Sequence, residues 1–504
     1  MTSFVPRPLV AALVLFFTGQ FLRATDVLPV TTAECTIPAT SSARSAALTT
    51  DREGSIFLSW IEPVADGSTE LRFAALSNAH TWGSPRVIAR GSNWIVNNAD
   101  RPSLVVGPNG RITALWLVSE SEAGSRAFFS QSTDGGATWS PAQSLSKESR
   151  EMEFPVIQAL PDGRVVAVWL DGRGKKEGRG SQQLFARITG AEGPDELVDA
   201  SVCDCCRPAL SAFPDGSSLL AYRGRTKEEV RDIRVALFRD GKWSTGRDVH
   251  TDGWQIHGCP VNGPQLFTAG GRAGLAWFTA ANGEGRVLAS LTPDAGGRWL
   301  DPLRVDRGAP AGHVGVVLLA DGSLLVTWIE SSGEQPGLWL RRITPSFQSG
   351  EAVLLIPSEQ ISAGDYPQVV LVKDYDATPA KLLVAYSAKG DSSPRSLLVT
   401  LPDLSTLAGR KPCVPCDEDD ARAARGYPVR GQIVRVQQDG ASALVRDEEI
   451  PGVMRASTLE VRADSGILAH AAAEQDFLGR IERRGKTWWL FNVRWLGSPK
   501  PDSR

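Results

Sequence analysis

Four of the seven cysteines fall in two short stretches. Cys203, Cys205 and Cys206 lie within four residues, and Cys259 follows His257 in the run HTDGWQIHGCP at 250–260. Thiolates and imidazoles within reach of one another ligate soft ions: Cu(I), Zn(II) or an iron–sulfur centre. The same residues allow two other chemistries. A disulfide of the Cys206–Cys259 kind would brace two loops, and a redox-active thiol pair would exchange electrons. Residue types alone leave the three readings open.

What must position these side chains is a repeat. Trp60, Trp116, Trp169, Tyr222, Trp277, Trp328 and Tyr386 recur at intervals of 56, 53, 53, 55, 51 and 58 residues. Each closes a short apolar run, such as SIFLSW or RVVAVW, and most runs follow a Gly turn. A second aromatic (Trp82, Trp139, Trp243, Trp299) comes 21 to 23 residues later in four repeats. The runs alternate or are continuously apolar over a few residues, which suits buried strands and not helices. Four short strands per repeat predict an all-β chain built as a β-propeller. Seven repeats predict seven blades, or six if one repeat is partial. The last repeat lacks a clear fourth strand, and VLPV at 27–30 is expected to supply it and close the ring.

The register gives the cysteines their meaning. Cys206, Cys259 and His313 each stand just before the first strand of repeats four, five and six. In a propeller such entry loops gather at one mouth of the central channel. Cys203, Cys205, Cys206, His257, Cys259 and His313 are therefore expected to converge as one metal site. Arg173, Arg207, Arg223 and Arg225 are expected around the same mouth, where a small anionic ligand is the functional reading and ordinary ion pairs the structural one.

The chain has 504 residues, net charge −3, 49 Gly and 32 Pro. That suffices for a large β core and a second domain, and it argues against a nucleic-acid surface. The N-terminus carries Arg7, an apolar run at Leu9–Phe17 and small residues near Ala24. Residues 1–24 are expected to be a secretory signal peptide, too short in its apolar part to span a membrane. A secreted or periplasmic protein follows, with no membrane span in the mature form and cysteines free to form disulfides.

The run Ser132-Thr133-Asp134-Gly135-Gly136-Ala137-Thr138-Trp139 matches an Asp-box, and a degenerate copy stands at 293–299. The chain thus resembles the sialidase superfamily over its repeat region, 26–409. The match marks a structural turn: Ser132 and Asp134 bond the backbone, Gly136 allows positive φ, and Trp139 packs beneath. The resemblance implies an arginine clamp for a carboxylate, a Tyr–Glu nucleophile pair and an Asp acid. Asp100-Arg101-Pro102 is a weak counterpart of the family's first arginine motif. Tyr366 is the candidate nucleophile, with Arg223 and Arg225 as a clamp, and no residue is firmly assigned to catalysis.

After residue 409 the texture changes. Residues 410–426 form a charged, Pro-containing linker with Cys413 and Cys416, expected as a local disulfide. Residues 427–497 resemble the small periplasmic copper-binding barrel of the CusF type through Ile450-Pro451-Gly452 and Met454. The resemblance implies an OB-like β-barrel. Its copper ligands are degenerate: Asp447 stands at the His position, and Ser457 and Leu459 at two Met positions. The barrel's association with a thiol-rich propeller points to an extracytoplasmic binding protein that handles copper, as Cu(I), or another soft metal. A periplasmic protein partner is a further expectation. The alternatives are a sialidase-like hydrolase of anionic sugars and a non-catalytic interaction propeller with structural disulfides. Enzyme activity is not the favoured reading.

Overall fold

In the computed structural model, the described residues are 30–401 and 427–496, without 79, 121–123, 150, 176–179, 334, 373–380, 439–440, 448–456, 464, 469–470 and 485–486. Cys413, Cys416, Met454, the Ile450–Gly452 run and the expected signal peptide lie outside them. Among the described residues no helix is long and apolar enough to cross a membrane.

Residues 31–400 form seven antiparallel sheets in chain order, six of four strands and the fourth of five, since Lys242–Trp243 and Arg247–Asp248 both pair with Ile233–Arg239. The first is Arg44–Thr50, Ile56–Pro63, Thr69–Ala75 and Arg86–Gly91. The seventh takes Gln368–Val372, Lys381–Ser387 and Pro394–Thr400 from one end of the chain and Thr31–Glu34 from the other. This is a seven-bladed propeller closed by its two termini. The closing strand lies one residue beyond the expected VLPV, and Val30 is the part of that run within the described residues. The reason is chemical. An outermost strand needs backbone pairing and no buried face, so the exposed Thr31–Glu34 serves, while Val30 packs on the apolar core of blades six and seven.

The apolar core lies between blades. One cluster joins Leu115 and Phe129 of blade two to Ile157 and Trp169 of blade three, and another joins Leu219 and Val235 to Leu275 and Trp277. The repeat aromatics sit in this packing: Trp60, Trp169, Tyr222, Trp277 and Trp328 are all 0% exposed. A buried indole N–H needs an acceptor. Trp60, Trp169 and Trp328 find it two residues on, donating to Glu62, Asp171 and Glu330 at 3.0, 2.7 and 2.9 Å.

The Asp-box turn behaves as its sequence dictates. Asp134 Oδ1 accepts the Ala137 and Thr138 amides at 3.0 and 2.9 Å, and Ser132 Oγ accepts the Gly136 amide at 2.8 Å. Trp139 meets Phe73 of blade one edge-on at 6.0 Å, so the turn also joins two blades.

Residues 427–496 form a closed five-stranded barrel in the order Tyr427–Val436, Ser442–Asp447, Ser457–Arg462, Thr487–Leu496, Asp476–Arg484. Its core holds Val429, Ile433, Val461, Phe477 and Leu490.

Candidate functional site

The first strands of the blades share one register. Ala47, Ser103, Val156, Ala209, Gln265, Gly315 and Gln368 each pair with the residue just before a repeat aromatic. Two positions earlier in each blade stand Ser45, Arg101, Phe154, Arg207, Gly263, His313 and Tyr366. Arg101, His313 and Tyr366 line one channel cavity, and Arg101 and Arg207 line its neighbour. This ring of equivalent residues was missed as a ring by sequence reasoning. Its signal was present: in five of the seven blades the residue is followed by proline, at 102, 155, 208, 264 and 367. A proline suits a strand's first residue, where no ladder N–H is needed. Ser45, Phe154 and His313 have φ of 55°, 50° and 50°, at breaks in the strand register. Such bulges re-aim a side chain at a rim.

The cysteine loop joins the last strand of blade three, Glu196–Val202, to the first of blade four, Ala209–Ala212. It is held at both ends. The Cys203 amide donates to the Arg223 carbonyl at 2.9 Å. Asp204 Oδ1 accepts from the Gln182 amide at 2.9 Å and from Arg225 at 3.0 Å. The Cys259 loop leads into blade five, where Gly263 passes so close to Arg207 that a Cβ would lie 2.0 Å from its carbonyl oxygen.

The sulfur atoms of Cys203, Cys205 and Cys206 lie within 4.8 Å of one another. Cys205 and Cys259 form a disulfide, with Cα atoms 6.0 Å apart. The bridge therefore uses Cys205 and not Cys206. Cys203 and Cys206 are free and buried, at 0% and 1% exposure. The Cys206 hydrogen bond, aided by the Cys205 amide and the Arg223 and Arg231 charges, outweighs burial and holds the Cys203 thiol below the ordinary thiol value. Burial pushes Cys206 well above the ordinary thiol value. Arg231 Nη1 reaches the Cys203 sulfur at 3.4 Å.

The histidines do not join this cluster. His257 is exposed on its loop. His313 stacks on Tyr366 at 4.1 Å, and its Nδ1 faces the Asp365 carbonyl. Asn262 stands between His313 and Cys206. Its backbone hydrogen-bonds the Cys206 sulfur, and its side chain accepts the His313 amide at 2.9 Å. The expected six-residue convergence thus resolves into a sulfur cluster and a separate imidazole–phenol stack, because the intervening blade-five loop fills the gap.

The arginines are mostly spent on structure. Arg223 is buried, donates to the Asn262, Arg231 and Phe278 carbonyls, and lies over Trp254 at 4.8 Å. Arg225 holds Glu229 and Asp204, and Arg173 holds Asp171, Asp195 and Glu148. Neither Arg223 nor Arg225 clamps against Tyr366. The Tyr366 hydroxyl donates to the Val261 carbonyl at 2.7 Å, and burial with the nearby Cys206 pushes it up to about 12. That is the opposite of an activated nucleophile.

Arg101 bridges the Tyr366 and Ala46 carbonyls at 2.9 and 3.2 Å, and its Nε is buried without a partner. Burial and the Arg207 charge pull its guanidinium down to about 10. Asp100 lies 3.9 Å from Arg207, yet burial pushes its carboxyl up to about 6.

In the barrel, Asp447 and Ser457 are directly opposed across two strands, and Leu459 faces Val445. Leu459 packs half-buried on the barrel core, as do Trp488 and Trp495. A hydrocarbon thus occupies one position where the resemblance implies a thioether ligand.

Fold and site define a seven-bladed propeller with a cysteine cluster in the loop between its third and fourth blades, together with a small barrel. No protein-family model matches the chain, and no curated protein does. Among solved structures it is similar to a Dyadobacter fermentans protein of unknown function (12% identity, 74% of this chain and 99% of that one, TM-score 0.44). It is also similar to a Hadza microbial sialidase (15%, 70% and 78%, TM-score 0.40) and to a PL25 ulvan lyase (12%, 74% and 97%, TM-score 0.42). These likenesses carry no argument about activity.

Proposed function

We propose that the propeller binds a soft monovalent cation, Cu(I) foremost, as cargo on the sulfur atoms of Cys203 and Cys206, in an extracytoplasmic compartment. The observation that carries this reading is a pair of free, buried thiols hydrogen-bonded to each other beside a third sulfur. The number of free donors selects the ion. Structural zinc and iron–sulfur centres take four protein ligands, whereas Cu(I) accepts two thiolates in line and favours soft donors. With Cys205 and Cys259 joined, two thiols remain here. Arg231 and Arg223 favour the negative charge of a bis-thiolate complex. The disulfide fits an oxidising compartment. The CusF-like reading of the barrel supports a copper context, and its own worn ligand set leaves the propeller as the binding unit.

The test is anaerobic titration of the mature protein with Cu(I) against a chromogenic competitor. One equivalent bound by the wild type and none by Cys203→Ser/Cys206→Ser is the expected outcome. Binding that survives the double substitution, or none in the wild type, overturns the assignment.

A further inference from the structure

The four mouth cysteines form two redox couples side by side. Cys203 and Cys206 are a Cys-x-x-Cys pair in the dithiol state, and Cys205, inside that motif, is half of a disulfide. The two couples differ in access. Cys203 and Cys206 are buried, Cys205 is half-buried and Cys259 is exposed. The Cys203 and Cys206 sulfurs lie within 4.8 Å of the Cys205 sulfur, the atom a thiolate would attack. A thiol so close to a disulfide sulfur is placed for exchange through a mixed disulfide.

We infer that the cluster is an internal thiol–disulfide relay that moves the disulfide between the exposed Cys205–Cys259 pair and the buried Cys203–Cys206 pair. In the first step the Cys203 thiolate attacks Cys205 Sγ. The Cys203–Cys205 bond forms, the Cys205–Cys259 bond breaks, and Cys259 leaves with the electron pair and takes a proton. In the second step Cys206, losing its proton, attacks Cys203 Sγ. The Cys203–Cys206 bond forms and Cys205 leaves as a thiolate that is then protonated. Two electrons and two protons pass from the inner pair to the outer pair, and no outside oxidant or reductant is consumed. Vicinal Cys205 and Cys206 are too close along the chain for easy pairing, so Cys203 is the opening nucleophile.

The relay is a chemistry of the bare protein. Where it meets the proposed metal site, and it rests on that reading only here, it gives a release step. The isomer with free Cys203 and Cys206 holds the ion inside, and the isomer with free Cys205 and Cys259 presents sulfur at the surface.

Metal-free wild type would be incubated with a bulky maleimide at neutral pH, quenched in acid and mapped by peptide mass spectrometry. Label accumulating on Cys259 together with a Cys203–Cys206 disulfide is the expected result. Cys203→Ser should slow labelling of Cys259 at least about tenfold. Cys206→Ser should stop at the mixed Cys203–Cys205 disulfide with Cys259 labelled, a product that an unfolded variant would not give selectively. An intact Cys205–Cys259 bond after exhaustive labelling of the wild type would refute the relay. Equal labelling of Cys259 in Cys203→Ser would refute it too. Because no metal is present, either failure leaves the Cu(I) titration to stand or fall alone.

Discussion

Arg231 Nη1 lies 3.4 Å from the Cys203 sulfur, and its Nη2 is fixed by Glu229. A guanidinium held in that place stabilises an anionic sulfur and, by the same field, an anionic bis-thiolate complex of a monovalent cation. Arg231→Met keeps the length and removes the charge. Cu(I) affinity should fall about tenfold, worth ~1.4 kcal/mol, as read by competition with a chromogenic chelator. Unchanged affinity would mean that the charge serves only the loop.

The separation of His257 and His313 from the sulfur cluster makes a sharp distinction. His257→Ala and His313→Ala should each leave Cu(I) affinity within about twofold, whereas Cys203→Ser or Cys206→Ser should abolish stoichiometric binding. A large loss in His313→Ala would restore the wider Cys/His site expected from sequence and would contradict the wedge formed by Asn262.

Asp100 gives a pH signature. Burial raises its carboxyl from 3.8 to about 6 in the folded protein. The folded state therefore holds the proton more tightly than the unfolded chain, and stability falls as pH rises from about 4 through 6. Asp100→Asn removes that loss and can still accept the Phe154 amide. The variant should match the wild type in stability below pH 4 and exceed it above pH 6, by on the order of 1–3 kcal/mol. Calorimetry at pH 4 and 8 decides it. A gain of equal size at both values would remove titration as the cause.

Gly135 and Gly136 of the Asp-box both have positive φ, 68° and 87°. A Cβ on Gly135 would meet nothing within 4 Å, whereas on Gly136 it would lie 2.3 Å from Phe73 Cζ in the neighbouring blade. Gly135→Ala should cost about 1 kcal/mol from backbone strain. Gly136→Ala should cost about 2–4 kcal/mol, since overpacking is added. Chemical denaturation of the two variants measures the difference, and equal costs would show that Phe73 yields freely.

Thr31–Glu34 covers the edge of Pro394–Thr400. A chain shortened to begin at Ile37 should melt lower and associate at raised concentration, because an uncovered strand edge recruits other strands. Sedimentation at two concentrations tests this. A stable monomer would show that the edge is protected in another way.

The sequence by itself determined the blades. Seven aromatics at near-constant spacing, with a Gly turn before most of their runs, dictate strands, turns and register, because each depends on residues close in the chain. The Asp-box was legible for the same reason: Ser132, Asp134 and Thr138 bond within one turn. Register also put the Cys203–Cys206 loop at the entry to the first strand of blade four, Ala209–Ala212. The barrel was expected from the resemblance that residues 427–497 carry, and a closed five-stranded barrel stands there.

Only the tertiary structure decided which side chains meet around the cysteine loop. Whether Cys205 or Cys206 bonds Cys259 depends on the direction each sulfur takes from a loop held by Asp204 and by the Arg223 carbonyl. Whether Arg223 meets a ligand or three carbonyls depends on how blades four and five close over it. His313 and Cys206 are parted by Asn262, a residue with no motif of its own. Spacing along a strand fixes position to within a residue, but a ligand shell is fixed by fractions of an ångström between loops distant in sequence. Packing between blades sets those fractions, and no local pattern encodes them.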